Sequence, residues 1–386
     1  MKIVADNQIP YVRKVFSELG EVILHAGREI RARQVRDADV LLVRSVTPVN
    51  AELLSGSNVS FVASATSGID HVDIDYLQQA GVGFAYAPGC NAQAVVEFVL
   101  SSLSVLATQY QFRLPDKVVG IIGCGQVGSR LAQALNVMGV RCLLNDPPLE
   151  ESVGGSMYCA LADAQEADII TLHVPLTTSG KYPTRQLVNE SFLARLRPDA
   201  ILINTSRGAV VDEGALKQVL ARRYFPVVLD VWDGEPDIDR HLLASVAIGT
   251  PHIAGYSIDA RLRATHMIYR SLCAHLHLSG SWRLETELAH LPVKELTIDA
   301  DVGTLDGLEM VILSHYDVRG DAAALRQLLN VKGQEATRYF DELRKNHPVR
   351  REFAATTVHL FSAGKHLADV LGQRSEERRV GKECRL

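Results

Sequence analysis

One short segment constrains this chain more than any other. Val118 to Gly128, read VVGIIGCGQVG, carries an apolar strand run into G-x-G-x-x-G, with a helical pattern from Gln126 to Met138 behind it. Gly123 permits the tight turn, Gly125 lets a pyrophosphate approach the backbone, and Gly128 lets helix and strand pack closely. The helix opens at Gln126 and Val127, whose end of the helix offers N–H groups and a positive dipole to phosphate. A glycine loop alone is a weak signal. Here a second strand run, Arg141–Asn145, delivers Asp146 about 20 residues after the first glycine, the position of an acid that binds a ribose 2′-hydroxyl. Loop, helix and acid together predict a dinucleotide site made by Gly123, Gly125, Gln126, Val127, Gly128 and Asp146. The Asp146 carboxylate would repel a 2′-phosphate, so NAD is expected over NADP.

The loop sits within a long alternation of β-branched runs and helix-period segments, the pattern of a parallel sheet flanked by helices. A first series has strands at Lys2–Ala5, Val40–Val43, Phe61–Ala63 and Phe84–Tyr86, a helix at Val12–Leu19, and no nucleotide signature. After the turn Pro88-Gly89-Cys90-Asn91, where Asn91 can cap, a helix spans about Ala92 to Ala107. The second series has strands at Val118–Ile122, Arg141–Asn145, Ile169–Leu172, Ala200–Asn204, Val227–Asp230 and Val246–Ile248. Its clearest helices are Gln126–Met138 and Glu213–Ala221, and a long helix over Asp259–Leu278 could return the chain to the first series. Beyond Gly280 the alternation breaks, with strands expected at Leu296–Ile298 and Met310–Leu313 and helices at Ala322–Leu329 and Glu335–Arg344. The reading is α/β: two doubly wound parallel-sheet domains, Rossmann- or flavodoxin-like, plus a small C-terminal α+β domain. Their bounds are 1–91 with 257–280, 92–256 and 281–373.

A chain of 386 residues with 47% hydrophobic and 22% charged residues has the make-up of a globular protein of two or three domains. Its formal charge of −5 argues against a nucleic-acid partner. The most apolar stretch, Val95–Ala107, contains Glu97 and falls short of a membrane span. The N-terminus reads as a strand without a signal-peptide core, and six scattered cysteines without a CxxC pair suit reduced thiols, so a cytoplasmic protein is expected. Residues 374–386 begin RSEERRVGKECR, a charged run that resembles a translated sequencing-adapter oligonucleotide; it is expected to be non-native and outside the fold.

Three segments at later strand ends carry chemistry: Asn204-Thr205-Ser206-Arg207-Gly208, Asp230 to Pro236, and Gly249 to Gly255. Oxidising a 2-hydroxy acid needs a cation for the carboxylate, a base for the hydroxyl proton and a hydride acceptor. Arg207 suits the first with its bidentate fork. His252 suits the second, and Glu235 could fix its tautomer and stabilise the imidazolium. Each residue alone is weak evidence. Their succession after a dinucleotide loop is not.

These segments, with the glycine loop and its acid, resemble the D-isomer-specific 2-hydroxyacid dehydrogenase family. Val43–Thr47, Pro88–Ala92, Pro251–Tyr256, Tyr316–Arg319 and Leu343–Asn346 narrow the resemblance to a branch acting on a phosphorylated 2-hydroxy acid. It implies Arg207 and Glu235 as active-site residues and His252 as the proton donor and acceptor. It implies Ser206, Asp230 and Gly255 as further NAD contacts, with Asp230 meeting the carboxamide. Val174 stands where close relatives place Thr, which leaves that position a backbone contact only. Ser45, Thr66 and Tyr256 would contact substrate, with Arg44 as an added cation and Thr47 a nearby hydroxyl, in a cleft bridged by the substrate's carboxylate and phosphate. A homodimer paired through the C-terminal domain is implied as well, with no membrane partner. A 3-phosphoglycerate or simple D-2-hydroxy-acid dehydrogenase, or an NAD-sensing scaffold, remains open.

Other clusters read as structural. Cys273, His275 and His277 fall at i, i+2 and i+4 of a helix and do not share a face. Asp70-His71-Val72-Asp73 reads as helix capping, and His173, at a strand end, as a residue that could position its neighbours. The chemistry calls for no metal, because Arg207 and the nicotinamide supply the positive charge.

Overall fold

Buried aliphatic runs build one parallel sheet in each of two compact units. The computed structural model describes residues 1–154, 157–298, 304–360 and 383–385. The first unit comprises Met1–Asn91 with Ser257–Pro292, the second Ala92–Tyr256 with Val293–Leu386.

In the first unit, β1 (Lys2–Asp6), β2 (Glu21–His25), β3 (Val40–Val43), β4 (Phe61–Ser64) and β5 (Gly83–Tyr86) run parallel in the order β2-β1-β3-β4-β5. The order reverses between β1 and β3, the kind of switch point where such sheets form crevices. β2 was not expected. Its Val-Ile-Leu run lies at the sheet edge and only Val22 is fully buried, so the apolar signal is short. The helix Ile258–His275 belongs to this unit and buries Ile268, Tyr269, Leu272 and Cys273 against Ile3, Phe16 and Phe61. His275 lays its ring 4.6 Å from that of Phe61, a packing role.

In the second unit, β6 (Val118–Ile122), β7 (Arg141–Asn145), β8 (Ile169–Leu172), β9 (Ile201–Asn204), β10 (Val227–Leu229) and β11 (Ile248–Gly249) form a parallel sheet ordered β11-β10-β9-β8-β6-β7. A single parallel bridge from Leu144 to Tyr158 extends it beyond β7. The helix that opens this unit runs Ala92–Tyr110, longer than expected. By length and composition it could cross a membrane, yet 83% of its most apolar window is buried inside the molecule. It is a core helix.

The C-terminal residues depart most from expectation. Residues 281–292 stay with the first unit, and 293 onward packs within the second rather than forming a unit of its own. Met310–Leu313 is helical, inside Thr304–His315, because Leu308, Val311 and Ile312 form one buried face against Phe98 and Val99; a short apolar run does not by itself distinguish strand from helix. Ser101 Oγ donates to the Tyr316 carbonyl at 2.8 Å and accepts from the Val318 N–H at 3.1 Å, fastening this segment to the core helix. β12 (Lys294–Ile298) and β13 (Thr356–Leu360) pair in parallel, and β14 (Glu383–Arg385) adds antiparallel to β13. The charged tail therefore joins the fold at 383–385, because the open edge of β13 pairs with backbone and needs no apolar sequence. Residues 361–382 and 386, most of that tail included, lie outside the described residues.

Candidate active site

The glycine loop follows β6 at the point where the second sheet reverses order, between β6 and β8. Gly123 has φ +89°, and a Cβ there would come within 2.7 Å of the His173 carbonyl group. A Cβ on Gly128 would sit 2.0 Å from the Gly123 carbonyl oxygen, so helix Gln126–Val137 can approach β6 only with glycine there. A Cβ on Gly125 would meet nothing within 4 Å: the loop presents open backbone at that residue. Asp146 Oδ2 accepts the Cys124 N–H at 2.7 Å, and its Oδ1 caps the next helix through the Leu149 N–H at 3.1 Å. The acid thus also fixes the loop. His173 sits under it, between the Thr171 hydroxyl at 2.9 Å and the Thr205 hydroxyl at 3.2 Å, and burial pushes its imidazole down to about 3.

Three strand-end loops follow β9, β10 and β11. After β9, Asn204 Oδ1 accepts from Ser206 N at 3.0 Å and Ser206 Oγ at 2.8 Å, while its Nδ2 donates to the Arg207 carbonyl at 3.0 Å. That ring of bonds shapes the turn that presents Arg207. Gly208 next to it must be glycine, because a Cβ would fall 2.0 Å from the Trp232 carbonyl carbon. Trp232, almost wholly buried, sends its indole N–H to the Thr250 carbonyl at 2.9 Å. It therefore touches both the Arg207 loop and the His252 loop.

Asp230, 1% exposed, organises the last loop. Its carboxylate accepts from the Thr250 hydroxyl at 2.7 Å, Ile253 N at 2.8 Å and Ala254 N at 3.0 Å, and its carbonyl accepts His252 N at 2.7 Å. His252 is held at φ +56°, uncommon for a non-glycine residue. Its Nδ1 meets Glu235 Oε1 in a short hydrogen bond, its side chain keeps 32% exposure, and among the described residues no hydrogen bond engages the other ring nitrogen. Burial would push the Glu235 carboxyl up. The His252 imidazole beside it, with Arg344 behind, outweighs that and holds it below the ordinary carboxylate value.

In the first unit, Arg44 follows β3 and its Nε pairs with buried Asp6 Oδ2 at 3.0 Å. Ser45 next to it is exposed. Thr66 donates to the Gly68 carbonyl at 2.7 Å and contacts Ser64 Oγ at 2.6 Å. Thr47 is buried and donates to the Gly27 carbonyl at 2.8 Å, so its hydroxyl is a structural group and not a ligand contact.

Residues 104–254 match the profile of the D-isomer specific 2-hydroxyacid dehydrogenase NAD binding domain, and 288–372 match a domain of unknown function. Among solved structures, a D-lactate dehydrogenase from Aquifex aeolicus with NAD and lactic acid superposes with a TM-score of 0.59 at 23% identity, over 71% of this chain and 95% of that one. A cofactor-bound 3-phosphoglycerate dehydrogenase from Entamoeba histolytica gives 0.62 at 23%, over 73% and 96%. These share the fold. Erythronate-4-phosphate dehydrogenase of Hahella chejuensis is 46% identical over 97% of this chain and 98% of its own. The chain belongs to the erythronate-4-phosphate dehydrogenase family. The enzyme of that name from Klebsiella pneumoniae is likewise 46% identical, over 94% and 95%.

As in other members of a family with an NAD-binding domain, the loop here suits a dinucleotide. The open face at Gly125, the N-terminus of helix Gln126–Val137 and the Asp146 carboxylate fit pyrophosphate and ribose. The structure brings Glu235 and His252 into direct contact and joins their loops to that of Arg207 through Trp232 and Gly208. Ser206 and Asp230 are bound up in internal hydrogen bonds, which makes them organisers of the site. Sequence reasoning missed Trp232, Asn204 in its bracing role, and Arg344. A large buried aromatic between two site motifs was a usable signal for the first. Arg344 lies in a segment, Leu343–Asn346, that the family resemblance singles out without giving it a role.

Proposed function

We propose that the protein oxidises 4-phospho-D-erythronate with NAD to (R)-3-hydroxy-2-oxo-4-phosphooxybutanoate, a step toward pyridoxal 5′-phosphate. The contact between His252 and Glu235, beside the loop that presents Arg207, carries this reading. Arg207 holds the substrate carboxylate in a bidentate fork. His252 takes the C2 hydroxyl proton on its other ring nitrogen, and Glu235 stabilises the imidazolium that results. Asp230 fixes the backbone of His252 and of the two residues after it, so the imidazole is oriented before substrate arrives. Bound NAD, held by Gly123, Gly125, Gln126, Val127, Gly128 and Asp146 with Val174, Ser206, Asp230 and Gly255 nearby, accepts the hydride from C2. Ser45, Thr66, Arg44 and Tyr256 serve the substrate. The protein acts as a homodimer in the cytoplasm.

A panel of 4-phospho-D-erythronate, 3-phosphoglycerate and D-lactate, each with NAD and followed at the NADH absorbance, tests the substrate. The first should give the highest kcat/KM by at least about a hundredfold, the scale of a site built around a substrate's polar group. Faster turnover of either other acid overturns the assignment. Tight NADH binding with no turnover of any would favour a sensing scaffold. Sedimentation of the full chain at twice its 42.3 kDa is expected, and a monomer mass would remove the dimer.

A further inference from the structure

The segment matching a domain of unknown function sends three side chains, at positions 344, 347 and 350, onto the loop that carries His252. Arg350 Nη2 donates to the Ala254 carbonyl at 3.3 Å and to the Ala94 carbonyl at 2.9 Å, while Nη1 pairs with buried Glu97 at 2.9 Å. His347 stands edge-on to the Tyr256 ring at 5.7 Å and pairs with Asp321 at 3.3 Å. Arg344, in the last turn of helix Gln334–Lys345, lies within charge range of Tyr256, Glu235 and Asp341. The helix is anchored by Phe340 and Ala336 in the same core as Trp232.

Arg350 is a staple: it spans two carbonyls and a carboxylate. Arg344 is different. Both arginines leave a buried Nε without a hydrogen-bond partner among the described residues, and what sets Arg344 apart is the company its guanidinium keeps. Its guanidinium faces the carboxylate that partners the catalytic imidazole and the tyrosine proposed to touch substrate. Resting on the dehydrogenase reading above, we propose that Arg344 is a positioning residue of the active site, a second cation supplied by the C-terminal segment that acts through Glu235 and Tyr256. It keeps Glu235 a carboxylate aimed at His252 Nδ1, and it holds the Tyr256 ring at the edge of the His252 loop. The segment of unknown function then completes the catalytic centre of its own chain.

The charge environment makes the claim testable. Glu235 faces His252 and Arg344; His252 faces Glu235 and Asp230; Arg344 faces Tyr256, Glu235 and Asp341; Tyr256 faces His347, which faces Asp321. Removing one cation from this set makes the dyad hold its proton more tightly, so its apparent titration rises.

R344Q, R344K and Y256F in the full chain provide the test. R344Q is expected to lower kcat/KM about 10- to 100-fold with NADH affinity unchanged, and to raise the acid limb of the pH profile by about half to one unit. Histidine NMR of the free protein, with the His252 signal assigned by H252N, should show the same upward move without substrate. R344K, which keeps the cation, should titrate like wild type, and R344Q combined with Y256F should lose less than the product of the single losses. Wild-type kcat/KM and titration in R344Q overturn the proposal. So does an R344K displaced as far as R344Q, and that comparison decides alone if R344Q melts well below wild type. Absence of turnover in the wild-type enzyme would sink the dehydrogenase reading instead, while the NMR titration would still read Arg344.

Discussion

The two parallel sheets reverse strand order at equivalent places and fill those places in opposite ways. At the switch point of the first, β1 ends in Asp6, a wholly buried carboxylate that accepts from Gln8 N at 2.8 Å and from Arg44 Nε at 3.0 Å. At that of the second, β6 ends against Gly123, whose missing side chain lets the backbone lie on His173 and Val174. The first sheet brings its own anion. The second leaves helix N–H groups and an open glycine face for an anion from outside. One doubly wound design therefore yields an open glycine loop or a closed structural corner according to the residues where the first strand ends, which is why fold alone says little about function.

The sharpest way to break that contrast is to remove chemistry from each side. His252→Asn should lower kcat by about 10²- to 10⁴-fold with NADH affinity kept, the range expected of a lost general base. Asp6→Asn should instead raise KM through a released Arg44, with kcat nearly unchanged and stability lower by about 1–2 kcal/mol. Steady-state kinetics with urea unfolding separates the two; a kcat collapse in Asp6→Asn would mean the first corner takes part in chemistry. Next in size is the glycine pair. Gly128→Ala drives a methyl to 2.0 Å from a backbone oxygen and should weaken NADH binding at least about tenfold, besides destabilising by about 1–3 kcal/mol. Gly27→Ala would press as hard, at 2.3 Å, but on Asp6, and fluorescence titration should find NADH affinity unchanged.

The contrast also explains what could be read from the sequence. β6 and β8 begin and end where the apolar runs predict, because strands buried on both faces advertise themselves as continuous aliphatic segments. The contact of Glu235 with His252 could be anticipated because both residues sit in short motifs at strand ends. The buried Asp6–Arg44 pair could not, since an ion pair separated by 38 positions leaves no local pattern. The segment of Arg344 was singled out by resemblance but its role was not, since its neighbours Glu235 and Tyr256 are about 90 to 110 positions away, and Thr47 misled because a hydroxyl after a strand reads alike whether it faces a ligand or a carbonyl. The helix over Met310–Leu313 failed as a strand because four apolar residues carry no period of their own.

Asp146 sharpens the comparison on the cofactor side. Asp146→Ser keeps a helix-capping oxygen but removes the charge that would oppose a 2′-phosphate. The ratio of kcat/KM for NADP over NAD should rise about 10- to 100-fold, and an unchanged ratio would place the discrimination elsewhere.

The smallest expected effect concerns the histidine that lies only under the second sheet's loop. Burial holds His173 neutral, pushing it down to about 3, while the unfolded chain protonates it near the ordinary 6.5. A base depressed in the fold is charged by unfolding as pH falls, so the unfolded state binds the extra proton. Stability is therefore full above about 6.5 and drains as pH drops from there toward about 3. Between pH 7 and pH 5 this amounts to about 1–2 kcal/mol after allowing for the ring's partial exposure. His173→Gln offers similar polar atoms without the titration, so urea midpoints at the two pH values should differ less in the variant than in wild type. Equal losses would show that the two threonine hydroxyls accommodate a charged ring, and that the cradle under the glycine loop is as tolerant of charge as the Asp6 corner in the other sheet.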